Sequence, residues 1–137
     1  SIVSECAYVG SQTHIYNDTL RNNLTLWNEA ITDTHIKEVL ERVNLLSFLS
    51  RIDEQVSDGS FSEGQKQRIG LIRAFLKGSS VVIFDEATAN LDHNNATRIE
   101  HLLLSDPNIT YITVTHHLIK ENEPYFDKII RLGEGTE

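Results

Sequence analysis

Apolar positions along the chain change period several times, and the changes mark out its elements. Residues 6–9 (Cys-Ala-Tyr-Val) form a short apolar run before a polar break, which predicts a strand. Residues 18–26 predict a short helix beginning near Asp18, with Leu20 and Leu24 on one face and Trp27-Asn28-Glu29 ending it. In residues 33–43, Ile36, Val39, Leu40 and Val43 fall at i, i+3, i+4 and i+7, the pattern of an amphipathic helix. Thr32 or Asp33 is placed to cap it. Leu45–Leu49 adds a further turn or short helix, and 53–60, with Asp58-Gly59-Ser60, reads as a polar loop. A long helix then opens at Ser62 and runs to about Lys77, where Gly78 stops it.

Val81–Phe84 is a continuous apolar run rich in β-branched residues, the composition of a parallel strand buried on both faces. A helix follows over 94–104 with Ile99, Leu102 and Leu103 inward, and Pro107 lies just beyond. Residues 111–115 predict another strand, 118–123 a short helical stretch and 128–132 a last strand. Alternation of strand and helix calls for an α/β parallel sheet with right-handed crossovers. The stretch from 14 to 77 offers no strand and reads as a helical insertion. Gln12, Asp85, Glu86 and His116 all sit at or just after predicted strand ends, where open α/β sheets bind ligands.

Composition narrows the field. The chain has 137 residues, enough for one ordinary domain. Its 39% hydrophobic and 23% charged content suits a folded globular chain. A formal charge of −8, with no Lys/Arg stripe, argues against nucleic-acid binding. No apolar run approaches the roughly 20 residues needed to span a bilayer, so any membrane link is expected to run through a partner. No signal peptide is visible. The single cysteine, Cys6, allows no internal disulfide, and its apolar neighbours favour a buried structural thiol. Methionine is absent, so Ser1 is not expected to be a translation start, and a piece of a longer polypeptide is expected.

Two segments carry the chemistry. Residues 61–68 are Phe-Ser-Glu-Gly-Gln-Lys-Gln-Arg. Ser62 with Gln65 three places on is a capping box, and capping alone explains that pair. The same helix tip also offers free N–H groups and a positive dipole end to a phosphate, and Gly64 removes a side chain that would block an anion. Residues 81–92 are Val-Val-Ile-Phe-Asp-Glu-Ala-Thr-Ala-Asn-Leu-Asp, a buried strand ending in two carboxylates. Those carboxylates read alternatively as a structural pair capping the next helix.

In this order and this close, the two segments resemble the signature motif and Walker B segment of an ABC-type ATPase domain. The family pattern is Leu-Ser-Gly-Gly-Gln followed by a Gln-Arg helix; Phe61 and Glu63 depart from it, and Glu63 brings a negative charge beside the phosphate position. The resemblance makes Asp85 the magnesium residue and Glu86 the general base that polarises the attacking water. Ala89-Asn90-Leu91-Asp92 is similar to the D-loop, usually Ser-Ala-Leu-Asp, with Leu91 and Asp92 agreeing; Asp92 then communicates across a dimer interface. His116 takes the place of the switch histidine, which contacts the γ-phosphate and steadies the glutamate. His117 stands where Arg is common and receives no role, and His14, His35, His93 and His101 carry no case. Tyr8-Val9-Gly10-Ser11-Gln12, followed by Tyr16, Thr19-Leu20-Arg21 and Asn23, resembles an exporter Q-loop. An ungapped register on Val9 and Thr19 makes Ser11 the equivalent residue; either the loop has slipped and Gln12, one place later and long enough, reaches the magnesium, which is the assignment taken, or the contact is missing.

A Gly-rich loop ending in Gly-Lys-Ser/Thr is missing. The nearest string, Gly59 to Lys66, has Lys one place late, Gln67 where a hydroxyl should be, and no strand before it. In the family the true loop lies upstream of the Q-loop, as does the aromatic residue that stacks on adenine. The resemblance therefore implies a partial P-loop NTPase (RecA-like) parallel sheet with an inserted helical subdomain, lacking the P-loop strand and Walker A. Its parts are residues 1–13 (strand and Q-loop), 14–78 (helical subdomain ending in the signature helix) and 79–137 (Walker B, D-loop and switch histidine). The family's P-loop strand sits between the strands equivalent to 111–115 and 128–132, so both are expected to show unpaired edges.

By resemblance the chain is the later part of an ABC exporter ATPase domain, using ATP and Mg²⁺. Its partners are then a second such domain, closing head to tail so that Ser62, Gly64 and Gln65 face the other subunit's γ-phosphate, and a transmembrane domain contacted near the Q-loop and the helical insertion. Its place is the cytoplasmic face of a membrane. Alone, the fragment is expected to bind Mg-ATP poorly and not to hydrolyse it. Two alternatives stay open. One is a non-transport ABC ATPase of DNA repair or chromosome organisation, although the roughly 50 positions between Gln12 and Ser62 leave no room for a long coiled coil or a zinc insertion. The other is a degenerate, non-catalytic regulatory module, which Ser11, Glu63 and the D-loop changes keep open.

Overall fold

A parallel sheet of three strands in the order β1-β4-β5 organises the chain. The computed structural model describes residues 6–10, 13–86 and 91–133. β1 is Cys6–Val9, β4 is Val81–Asp85 and β5 is Thr110–Val114. Between β1 and β4 lie β2 (Asp18–Thr19), α1 (Leu20–Thr25), α2 (Asp33–Arg42), a 3-10 turn (Leu46–Arg51), β3 (Gln55–Val56), a second 3-10 turn (Asp58–Ser60) and α3 (Glu63–Lys77). α4 (His93–Ser105) joins β4 to β5, and a last 3-10 turn covers Lys120–Tyr125.

Alternation along the strands gives the sheet two unlike faces. Val9, Val82 and Phe84 are buried on one face, where α3 packs on β1 and α4 on β5. Gly70 permits part of this approach, because a Cβ there would stand 3.0 Å from the Thr13 hydroxyl and 3.4 Å from Val9. Tyr8, Ile112 and Val114 are exposed on the opposite face. Cys6 shares the side of β1 occupied by Tyr8 and is half-buried rather than buried, because the helices cover only the other side.

The helical insertion is built as its periodicity predicts. Leu20, Leu24, Ile36, Val39, Leu40 and Val43 are all buried in one cluster with Ile69, Leu71 and Ile72 of α3. Thr32 caps α2 through His35 N–H, and Thr19 caps α1 through Asn22 N–H. Gly78 ends α3 at φ 75°, a left-handed turn that favours glycine. α1 ends on two non-glycine residues in the same region, Leu26 (φ 52°) and Trp27 (φ 63°).

Three expectations are corrected. The insertion does contain strand: Asp18 pairs with Val56 and Thr19 with Gln55, an antiparallel contact too short for any sequence period to reveal. Residues 128–132 form no strand, since among the described residues no strand lies alongside to complete a ladder, and Ile130 and Leu132 are exposed. Leu102 is half-buried, while Ile99 and Leu103 are buried as expected. Among the described residues β5 has a strand neighbour only on its β4 side.

Candidate functional site

β4 delivers its two carboxylates by a sharp change of backbone conformation. Asp85 closes the strand in register with Val114, and Glu86 N–H still donates to Val114 O at 3.0 Å. Glu86 itself sits at φ 55°, a left-handed position uncommon for a side-chain-bearing residue. This turn breaks the strand's alternation, so Glu86 does not simply point to the face opposite Asp85. Its Oε1 lies 2.8 Å from Nε2 of His116, a contact with Glu86 40% and His116 85% exposed. His116 is presented by a turn in which Thr115 Oγ1 accepts from His117 N–H at 3.0 Å and donates to His117 O at 3.1 Å.

Asp85 is held from the other side. The Tyr8 hydroxyl donates to its Oδ2 at 2.5 Å, leaving Oδ1 without a described partner. Donating to Asp85, with desolvation and the carboxylate charge adding less, raises the Tyr8 pKa above its ordinary value. Tyr8 was not singled out in sequence, because its contact depends on the β1–β4 register, which no spacing reveals.

The helix tip at Ser62 lies open. Ser62 and Glu63 are exposed, Gln65 is half-buried and Gly64 is buried. The capping box is complete: Gln65 N–H donates to Ser62 Oγ at 3.1 Å and Ser62 N–H to Gln65 Oε1 at 3.0 Å. Among the described residues this leaves the Glu63 and Gly64 amides as first-turn donors without an acceptor. Ser62 keeps its hydroxyl hydrogen, and Gln65 its amide hydrogens, to donate. The charge of Glu63 is offset by Lys66, whose ammonium lies 3.3 Å from it and 2.9 Å from Asp58; Asp58 first, and Glu63 after it, raise the Lys66 pKa.

Asp92 caps α4, with Oδ1 accepting from Asn95 N–H at 2.8 Å and Oδ2 from the Asn95 side chain at 2.7 Å. These bonds, aided by the Arg68 charge, hold its carboxyl below the usual range. Gln12, Ser11, Ala89 and Asn90 lie outside the described residues. The loop after Gln12 is nevertheless anchored. Asn23, fully buried, accepts from Tyr16 N–H and donates to Tyr16 O and Thr19 O, while Arg73 of α3 donates to Asn23 O at 2.7 Å. The predicted residues thus form two groups, Asp85–Glu86–His116 at the sheet end and Ser62–Gly64–Gln65 at the α3 tip. No described hydrogen bond or ion pair joins them.

A parallel sheet carrying paired acids and a histidine at its carboxyl end, with an open helix tip in the insertion before it, is the arrangement of a nucleotide-handling α/β domain. The family model for ABC transporters matches residues 2–89, and the chain belongs to that family. It is 32% identical to a probable ABC transporter ATP-binding/permease protein of Haemophilus influenzae, over 98% of this chain and 25% of that protein. It is 30% identical to an ATP-dependent lipid A-core flippase of Francisella novicida, over 96% of this chain and 23% of that protein. The CydC component of a Haemophilus influenzae glutathione/L-cysteine transport system is 32% identical, over 96% and 24%. Among solved structures, a bacterial Atm1-family ABC exporter with ATP bound superimposes with a TM-score of 0.75 at 21% identity, covering 83% of this chain and 21% of that one. The chain therefore spans about a quarter of the length of these relatives. No described helix is long and apolar enough to cross a membrane.

Proposed function

We propose that the chain supplies the signature-helix and Walker B share of an ATP-hydrolysing domain in an ABC exporter. The observation that supports this most is the Glu86–His116 contact, placed beside Asp85 at the carboxyl end of the parallel sheet. In this reading Glu86 takes a proton from the attacking water as general base. His116 orients that carboxylate through Nε2, and the Glu86 backbone turn fixes where it points. Asp85, with Oδ2 braced by Tyr8 and Oδ1 without a partner among the described residues, fits a hard cation that would keep most of its waters. A Mg²⁺ held at Asp85 would supply charge to offset the phosphates. Gln12 is proposed to join Asp85 there.

The tip of α3 serves a different nucleotide. Ser62, Gly64 and Gln65 donate to the γ-phosphate held by a second nucleotide-binding domain, which closes head to tail on this one, and Asp92 faces the same interface. Work is passed to a transmembrane domain, so the chain acts at the cytoplasmic face of a membrane without entering it. No nucleic acid takes part. Since its sequence holds no phosphate-binding loop, the 137-residue chain alone binds Mg-ATP weakly and is inactive.

The test is the magnesium dependence of ATP hydrolysis by the complete polypeptide. Asp85→Asn should raise the magnesium concentration needed for half-maximal rate at least about tenfold. An unchanged magnesium requirement would remove Asp85 from the metal site.

A further inference from the structure

Among the described residues Glu100 is the one buried acid, 4% exposed in the middle of α4. A carboxylate is costly to bury unless donors meet it, and an apolar residue would glue helix to sheet at less cost. Its two donors come from opposite sides of one loop. Tyr111, on β5 before His116, donates its hydroxyl to Oε2 at 2.7 Å. Asn122, in the 3-10 turn after His116, donates its amide to Oε1 at 3.2 Å and to Thr97 O at 3.1 Å, and is itself only 2% exposed. The outgoing side is further held by His93 against Glu121 at 2.6 Å and by the Tyr125 ring against His101.

We propose that Glu100 is a positioning residue for hydrolysis: by binding Tyr111 and Asn122 together it fixes both ends of the loop that brings His116 to Glu86. This rests on the reading of Glu86 and His116 given above. One side chain meets both partners, Tyr111 through Oε2 and Asn122 through Oε1. A methionine at position 100 keeps the length but has no carboxylate oxygens, so it serves neither Tyr111 nor Asn122. Releasing either end lets His116 sample positions away from Glu86, and the rate falls with the fraction of time the pair is made.

The complete polypeptide is compared with its Glu100→Met, Tyr111→Phe and Glu86→Gln variants by amide hydrogen exchange and by steady-state ATP hydrolysis. Glu100→Met and Tyr111→Phe should each speed exchange over residues 115–121 on the order of tenfold, the scale of one lost hydrogen bond. Protection of α3 should be unchanged, and kcat should fall by a similar factor with KM constant. Unchanged exchange or unchanged kcat, with Glu86→Gln inactive, overturns the proposal while leaving the site reading intact. Loss of protection spread equally to α3 also overturns it, because Glu100 then only holds the fold together. Hydrolysis that survives Glu86→Gln removes the site reading itself, and the exchange data still decide whether Glu100 holds the loop.

Discussion

His116 Nε2 stands 2.8 Å from Glu86 Oε1, and the two side chains reach each other from adjacent parallel strands, at the same end of the sheet. A histidine so placed restricts the glutamate to one orientation without buried packing to help it. Replacing His116 by Ala leaves Glu86 free to rotate into solvent. Phosphate release by the complete polypeptide should then fall at least about 10²-fold in kcat, with KM little changed. A matched rise in KM alone would show that His116 binds substrate and does not orient the base.

The capping box at Ser62 contributes to stability whatever its role toward nucleotide. Ser62→Ala removes the acceptor for Gln65 N–H at an exposed helix start. The expected cost is about 1 kcal/mol, seen as a lower urea midpoint with an unchanged slope. Ser62→Asn, which caps equally well, should restore the midpoint.

Asp92 gives a pH dependence whose sign is fixed. Hydrogen bonds from Asn95 hold its carboxyl below its unfolded value, so the ionised form is favoured in the folded state. The stabilisation is complete above the unfolded carboxylate pKa and is lost as pH falls through the lowered folded value. Asp92→Asn keeps a capping oxygen without the charge. Urea titrations from neutral pH down to strong acid should show a flatter stability profile for the variant. Parallel profiles would mean that Asp92 titrates alike in both states.

Gln67 presents the opposite case. It is 2% exposed on α3, and neither its amide nitrogen nor its oxygen has a described partner. A buried amide left unpaired costs on the order of 1–3 kcal/mol. Gln67→Met, which keeps length and removes the polar atoms, should raise unfolding stability by about 1–2 kcal/mol. Lower stability would show that the amide is paired.

Sequence periodicity reached those parts of the fold where one face is buried along a whole element. Ile36, Val39, Leu40 and Val43 fall in the core because a helix with that spacing has one place to put them. Sequence points to Asp85, Glu86 and His116 through the ends of apolar strands and the family resemblance, and the structure brings Glu86 and His116 within 2.8 Å. What escaped depends on register or on tertiary neighbours. The pairing of Asp18 and Thr19 with Val56 and Gln55 has no period to detect. Ile129 and Ile130 have strand composition, but strand formation also needs a neighbour to bond. The Tyr8–Asp85 contact follows from which residues of β1 and β4 lie side by side. Glu100 sits at the border of the apolar stripe of α4, where sequence alone leaves a carboxylate facing solvent.

The central claim is that Glu86 serves as the base for a nucleotide shared between this chain and a second domain. The most direct measurement is single-turnover ATP hydrolysis by the complete polypeptide and its Glu86→Gln variant, with bound ATP quantified in parallel. Hydrolysis should fall on the order of 10²- to 10⁴-fold while ATP remains bound. An undiminished single-turnover rate would contradict the account.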